Sequence, residues 1–271
     1  MTSGVASVAD AVGTIDEAPT HDSTESHLTD LSDLNIIVLG NSVDGEAGAT
    51  DDNDGRAWPD LMEAILVLDP GFTNLTVQNE SMPGATMATA NKWGTESHLR
   101  MVTHIPEVFK GFDEVLLDMT VVIVAPSVID LQFNGGDVDA AVAALHEVLG
   151  VLDSLGLKQV IVLPMNPLSS VPFPAFGIEN QTTLNLDIAE FNSVIARQAV
   201  TPPDYSVSPL LEDRTNNGEP RYYDEFRGTD LQGDPTSSDG LHLDRDGHTR
   251  IATAVSDLVR LTIFEMPAHD S

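Results

Sequence analysis

Two kinds of apolar run alternate along the chain. The first is short, continuous and rich in Val and Ile: Ile36-Ile37-Val38-Leu39, Val121-Val122-Ile123-Val124-Ala125 and Val160-Ile161-Val162-Leu163. Runs apolar on both sides suit the inner strands of a parallel sheet. The second kind recurs at three- and four-residue spacing, the period of a helix. Its clearest case is Val138, Val142, Leu145, Leu149 and Leu152, which predicts a helix over 138–155 with Asp137 capping its start and Gly156 suited to its end.

In chain order the pattern predicts a strand at 35–40 and a helix opening at Trp58-Pro59, with Leu61, Ile65 and Leu68 on one face. A strand at 74–77, a helix over 95–110 and a strand at 121–125 follow. After the 138–155 helix come a strand at 160–163, a helix at 184–199 and a short strand near 205–210. The last helix spans 246–262, its buried stripe formed by Ile251, Val255, Leu258 and Leu261. Such alternation predicts an α/β fold, a central parallel sheet covered by helices on both faces. There is no internal repeat and no sign of a second domain.

Composition divides the chain. Residues 1–33 carry seven acidic residues and no Lys or Arg, with little apolar periodicity. Ordering such a segment costs more entropy than its burial offsets, so a disordered acidic tail is expected there. The folded domain is expected over 34–264, with a C-terminal tail at 265–271. The whole chain has 43 acidic against 12 basic residues, a formal net charge of −31. That field repels phosphates and anionic lipid, which argues against nucleic acid as a partner. Self-repulsion should weaken the fold at low salt and be screened at high salt, as in halophilic proteins.

No apolar run approaches the roughly 20 residues needed to span a bilayer. The first residues lack the basic and apolar regions of a signal peptide, so a cytoplasmic protein is expected. The chain has no Cys, which excludes disulfides and thiolate metal sites. The acid cluster Asp51-Asp52-Asn53-Asp54-Gly55 fails as a calcium loop, since Thr50 and Leu61 stand where ligating acids are needed. Neither a metal nor a cofactor is expected, and no glycine-rich phosphate loop follows any strand.

Candidate chemistry lies at the two ends of the domain. Ser42 stands just past the first strand, in Gly40-Asn41-Ser42, where open α/β sheets keep their ligands. Near the other end is Asp239-Gly240-Leu241-His242, followed by Gly247-His248. A serine hydroxyl needs a base to become a nucleophile, and imidazole titrates close to neutral pH. Asp239 could turn back onto His242, fix its tautomer and stabilise the imidazolium. Against this, a turn serine and a helix-capping acid are the plain structural alternatives. His248, in the first turn of the last helix, reads as structural.

Together these residues resemble the SGNH hydrolases, the GDSL esterase/lipase family, over roughly 34–264. Gly40-Asn41-Ser42 stands where that family has Gly-Asp-Ser, with Ser42 as nucleophile. Trp58-Pro59-x-Leu61-Met62, the stretch Asn79 to Gly84, and Phe191-Asn192-x-x-Ile195 resemble further blocks. Asp239-x-x-His242 is the most specific match. The resemblance implies a three-layer α/β/α flavodoxin-like fold and hydrolysis of a small or medium acyl or acetyl ester through an acyl-enzyme. It implies Ser42, His242 and Asp239 as the catalytic residues, and the amides of Ser42 and Gly84 as an oxyanion hole.

One departure matters most. The family has Gly-x-Asn-Asp after the third strand, and this chain has Ser127-Val128-Ile129-Asp130. Ile129 cannot donate to an oxyanion, and one lost donor costs about 10²–10³ in turnover. Ser127 and Asn134 are the nearby side chains that could donate instead. Ile129 also motivates a second reading: a catalytically weak or inactive protein of this fold that binds an acylated ligand or a protein partner.

Overall fold

Leu34–Leu39 forms β1, the strand around which the sheet is laid out. The computed structural model describes residues 33–44, 56–88, 100–133, 135–168, 178–198, 206–207, 241–243 and 245–264. Asp239, Asn134, the Asp51–Gly55 cluster, residues 95–99 and the segments expected to be tails lie outside these, apart from Asp33.

The other strands are β2 (Leu75–Asn79), β3 (Thr120–Val124), β4 (Gln159–Val162) and β5 (Ser206–Val207). They line up as β2-β1-β3-β4-β5, every neighbouring pair parallel. In register, Val38 of β1 stands between Asn79 of β2 and Ile123 of β3. The Val/Ile runs occupy the inside because both of their faces are covered, and all five residues of β3 are buried. The more polar β2, Leu-Thr-Val-Gln-Asn, takes an edge, where its side chains alternate between half-buried and exposed.

The helices are α1 (Trp58–Leu66), α2 (Met101–Val108), α3 (Glu114–Asp118), α4 (Val128–Phe133), α5 (Val138–Ser154), α6 (Ile178–Gln198) and α7 (Arg245–Phe264). α1 packs on α7, while α4 and α5 pack on each other and on α6, and α2 on α5. These are the two outer layers of an α/β/α sandwich, and the core is the apolar side chains between them and the sheet. Asp137 accepts the Ala140 amide at the start of α5, at 3.0 Å.

Two short helices, α3 and α4, are absent from the periodicity reading. Each is too short to show a period and is started by a side chain: Asp113 accepts the Leu116 amide, and Ser127 Oγ the Ile129 amide. Two residues read as lying on the apolar faces of helices are exposed. Leu68 is 83 % exposed because α1 stops at Leu66, so the helical period does not reach it. Leu261 is 58 % exposed because it falls outside the arc buried by Ile251, Val255, Leu258, Val259 and Thr262.

The topology sets up a crevice. From β1 the chain crosses to β2 on one side and then returns to β3 on the other. The carboxyl ends of β1 and β3 therefore flank the switch point where open sheets bind ligands. Gly40 closes β1 there. A Cβ on it would lie 2.6 Å from Asp44 Oδ2, 2.7 Å from Asp44 Cβ and 2.7 Å from Ser81 Oγ. Gly40→Ala is expected to lower stability by about 1–3 kcal/mol through this overpacking. Urea unfolding reads the effect, and an unchanged midpoint would show that the turn gives way freely.

Candidate active site

Ser42 is carried on a tight turn from Asn41 to Asp44. The Asp44 amide donates to the Asn41 carbonyl at 3.1 Å, and the Val43 amide to Asn41 Oδ1 at 3.0 Å. The Asp44 carboxylate closes the turn from below, its Oδ2 accepting the Asn41 amide at 3.0 Å. Its Oδ1 accepts the indole N–H of Trp58 at 2.9 Å. The serine is held on a rigid support and is still 9 % exposed.

His242 reaches this turn from the segment just before α7. Its Nε2 lies 3.1 Å from Ser42 Oγ, so residues 200 apart in sequence meet within hydrogen-bond distance. His248, in the first turn of α7, is fully buried, and its Nδ1 accepts the Trp58 amide at 3.2 Å. Asp239, the proposed third member, lies outside the described residues.

A second loop runs from the end of β2 to Gly84. Asn79 Nδ2 donates to the Asp44 carbonyl at 3.0 Å, and Asn79 Oδ1 accepts the Ser81 amide at 3.1 Å. The Met82 amide reaches the Gly40 carbonyl at 3.2 Å, tying this loop to the nucleophile turn. Gly84 has φ +75°, a conformation open to glycine and strained for other residues. Past it, Asp130 Oδ2 accepts the Met87 amide at 2.8 Å, so this fully buried acid braces the loop that carries Gly84.

After β3, Ser127 is fully buried and its Oγ accepts the Ile129 amide at 3.2 Å, serving the first turn of α4. Ile129 is buried in the apolar core. Asn134 lies outside the described residues. Beyond β4, Asn192 of α6 holds the next loop in both directions. Its Oδ1 accepts the Met165 amide at 2.8 Å, and its Nδ2 donates to the Met165 carbonyl at 2.9 Å. A cavity opens between Asp44, Ala125, Pro126, Leu163, Asn166 and Ile251. The remaining histidines with described contacts have ordinary partners: His104 bonds Glu80, and His146 bonds Gln198, each at 2.9 Å.

Asp44 is the residue that the sequence concealed. It opens a run of polar and acidic residues and so reads as the start of a solvated loop, yet it is only 2 % exposed. Burial pushes its carboxyl up from 3.8 to about 6, against the lowering pull of the Asn41 amide and then the Trp58 indole. The folded state therefore holds a proton that the unfolded chain has already released. Asp44 takes stability away as pH rises from 3.8 to about 6 and contributes no further change above that. Carboxyl-carbon NMR is expected to place the Asp44 midpoint near 6. A midpoint at the ordinary aspartate value would mean that the carboxyl is solvated.

A parallel sheet ordered β2-β1-β3-β4-β5 between two helical layers is the three-layer α/β/α architecture expected from the sequence, and solved structures of SGNH hydrolases share that fold. Among solved structures the chain is similar to a carbohydrate acetylesterase from Sinorhizobium meliloti, with a TM-score of 0.56 and 15 % identity, over 84 % of this chain and 99 % of that one. It is similar to the aryl esterase of M. smegmatis at a TM-score of 0.54 and 18 % identity, over 84 % and 99 %. TesA matches at a TM-score of 0.51 and 15 % identity, with the same coverage. No protein-family model matches the sequence, and no curated protein does. Among the described residues, no helix is long and apolar enough to cross a membrane.

Proposed function

We propose that the chain is a serine esterase acting on a small or medium acyl or acetyl ester, its domain spanning residues 34–264. One observation carries the reading: Ser42 Oγ and His242 Nε2 stand 3.1 Å apart at the carboxyl end of β1. Ser42 attacks the ester carbonyl while His242 Nε2 takes its proton. The tetrahedral oxyanion faces the amides of Ser42 and Gly84. Collapse expels the alcohol, which takes the proton back from the imidazolium, and water repeats the steps to free the acid. In this mechanism the role of Asp239 is to accept from His242 Nδ1–H and so keep Nε2 open to the serine. The activity named for one similar structure, a carbohydrate acetylesterase, supports an acetyl group, and the aryl esterase supports ester hydrolysis without bearing on acyl length.

A second reading rests on the loop after β3. Ile129 is apolar and buried where a donor is expected, and the Ser127 hydroxyl serves its own turn. A protein so altered could keep the crevice and bind an acylated ligand with little turnover. Hydrolysis of p-nitrophenyl acetate, butyrate and octanoate at low and molar salt separates the two. The esterase hydrolyses at least one of them, and a folded protein inactive on all three favours the binder.

A further inference from the structure

Three buried residues outside the reacting pair are bonded in series. Asp44 holds the turn that carries Ser42, and its other oxygen accepts from the Trp58 indole. Trp58 is the first residue of α1, and its backbone amide donates to His248 Nδ1. His248 belongs to α7, the helix that His242 immediately precedes. The series thus links the segment holding the nucleophile to the segment holding the base, and all three side chains are 0–2 % exposed.

The local chemistry explains why the link is made at Trp58. The first amides of a helix have no partner within it and need an outside acceptor. Ala57 stands at the N-cap and offers no side-chain acceptor. The amide of Trp58 is accepted instead by a histidine 190 residues away. Asp60 Oδ2 takes the Ala57 amide at 3.1 Å and steadies the same end of α1. Loss of the His248 acceptor would leave a buried N–H unpaired, and the α1–α7 contact would shift to relieve it.

We propose that the Asp44–Trp58–His248 series sets the separation of Ser42 from His242, which makes Trp58 and His248 positioning residues for the reaction. The inference rests on the serine-esterase reading. Misplacing reacting groups by about 1 Å can cost about a hundredfold in rate. The two reacting side chains come from opposite ends of the domain, so their separation is only as exact as the contacts between those ends. The series is a direct buried path between them.

The test compares three variants of the full chain, with kcat, KM and Tm measured on a p-nitrophenyl ester. His248→Leu removes the acceptor. His248→Asn puts an amide oxygen close to the position of Nδ1 and retains it. Trp58→Phe removes the indole donor and leaves the backbone amide. His248→Leu and Trp58→Phe are expected to lose about ten- to a hundredfold in kcat with little change in KM. His248→Asn is expected to recover most of that loss. A purely structural role predicts lower Tm for all three with kcat intact below the transition, and that result would overturn the proposal. So would an equal kcat loss in His248→Asn and His248→Leu. If His248→Leu does not fold, Trp58→Phe decides alone: a wild-type kcat rejects the proposal and a depressed one supports it. A wild type with no turnover overturns the esterase reading itself, whereas an active wild type with unaffected variants overturns only the series.

Discussion

Ser42→Ala and His242→Ala are each expected to lower kcat on a p-nitrophenyl ester by at least about 10³-fold, and the double variant to be no slower than either single one. The two side chains act as one unit. Without His242 the hydroxyl keeps its proton and attacks too slowly to matter, and without Ser42 the imidazole has nothing to activate. Residual rate in either variant comes from the oxyanion hole and substrate binding. On the proposed mechanism that residual rate should be small, because its oxyanion hole relies on backbone amides and Ile129 is apolar and buried. Among the described residues the Ser42 hydroxyl bonds only His242, so Ser42→Ala should unfold at the wild-type midpoint. Losses that multiplied in the double variant would show that the two residues act independently, which the mechanism forbids.

Asp239→Asn is expected to cost about 10⁴-fold in kcat while leaving KM and Tm close to wild type. Nε2 of His242 faces Ser42 Oγ at 3.1 Å, and it can accept the serine proton only if the ring's resting proton sits on Nδ1. In the proposed mechanism the Asp239 carboxylate is the group that holds the proton there. An asparagine could turn its NH₂ to the same nitrogen and hold the opposite tautomer, with Nε2 protonated and useless as a base. The measurement is the pH dependence of kcat in wild type and variant. The variant's residual activity should rise as hydroxide replaces the imidazole as base, while the wild type should level off. A wild-type profile in Asp239→Asn would remove that residue from the mechanism and direct the search to other acids near His242.

The sheet was legible in the sequence because its inner strands are buried on both faces and so are written as unbroken Val/Ile runs. β3 is the plainest example, apolar from Val121 to Val124 and buried throughout. The long helix α5 was legible for the converse reason: one face is buried, and its period shows. α3 and α4 were not, since five or six residues carry no period and their starts depend on Asp113 and Ser127 acting as caps. Leu68 and Leu261 show the limit of spacing alone, which cannot say where a helix stops or how wide its buried arc is.

For the site, Ser42 and His242 stood out because each sits in a short pattern with a chemical reason behind it. Asp44 did not. Its burial follows from where Trp58 and the Asn41 amide come to rest, and nothing in the run Asp44-Gly45-Glu46 marks the first acid as one that folding buries. His248 was legible as structural, but its partner was not, because the unpaired amide it satisfies belongs to a helix at the far end of the chain.

The central claim, that Ser42 is a nucleophile activated by His242, is tested most directly by a fluorophosphonate probe, with the labelled peptide located by mass spectrometry. The probe reacts with an activated serine whatever the natural ester, so a wrong choice of substrate cannot mask the result. A single adduct on Ser42 is expected in the wild type and none in His242→Ala. Wild-type protein, shown to be folded and left unlabelled at Ser42, would contradict it.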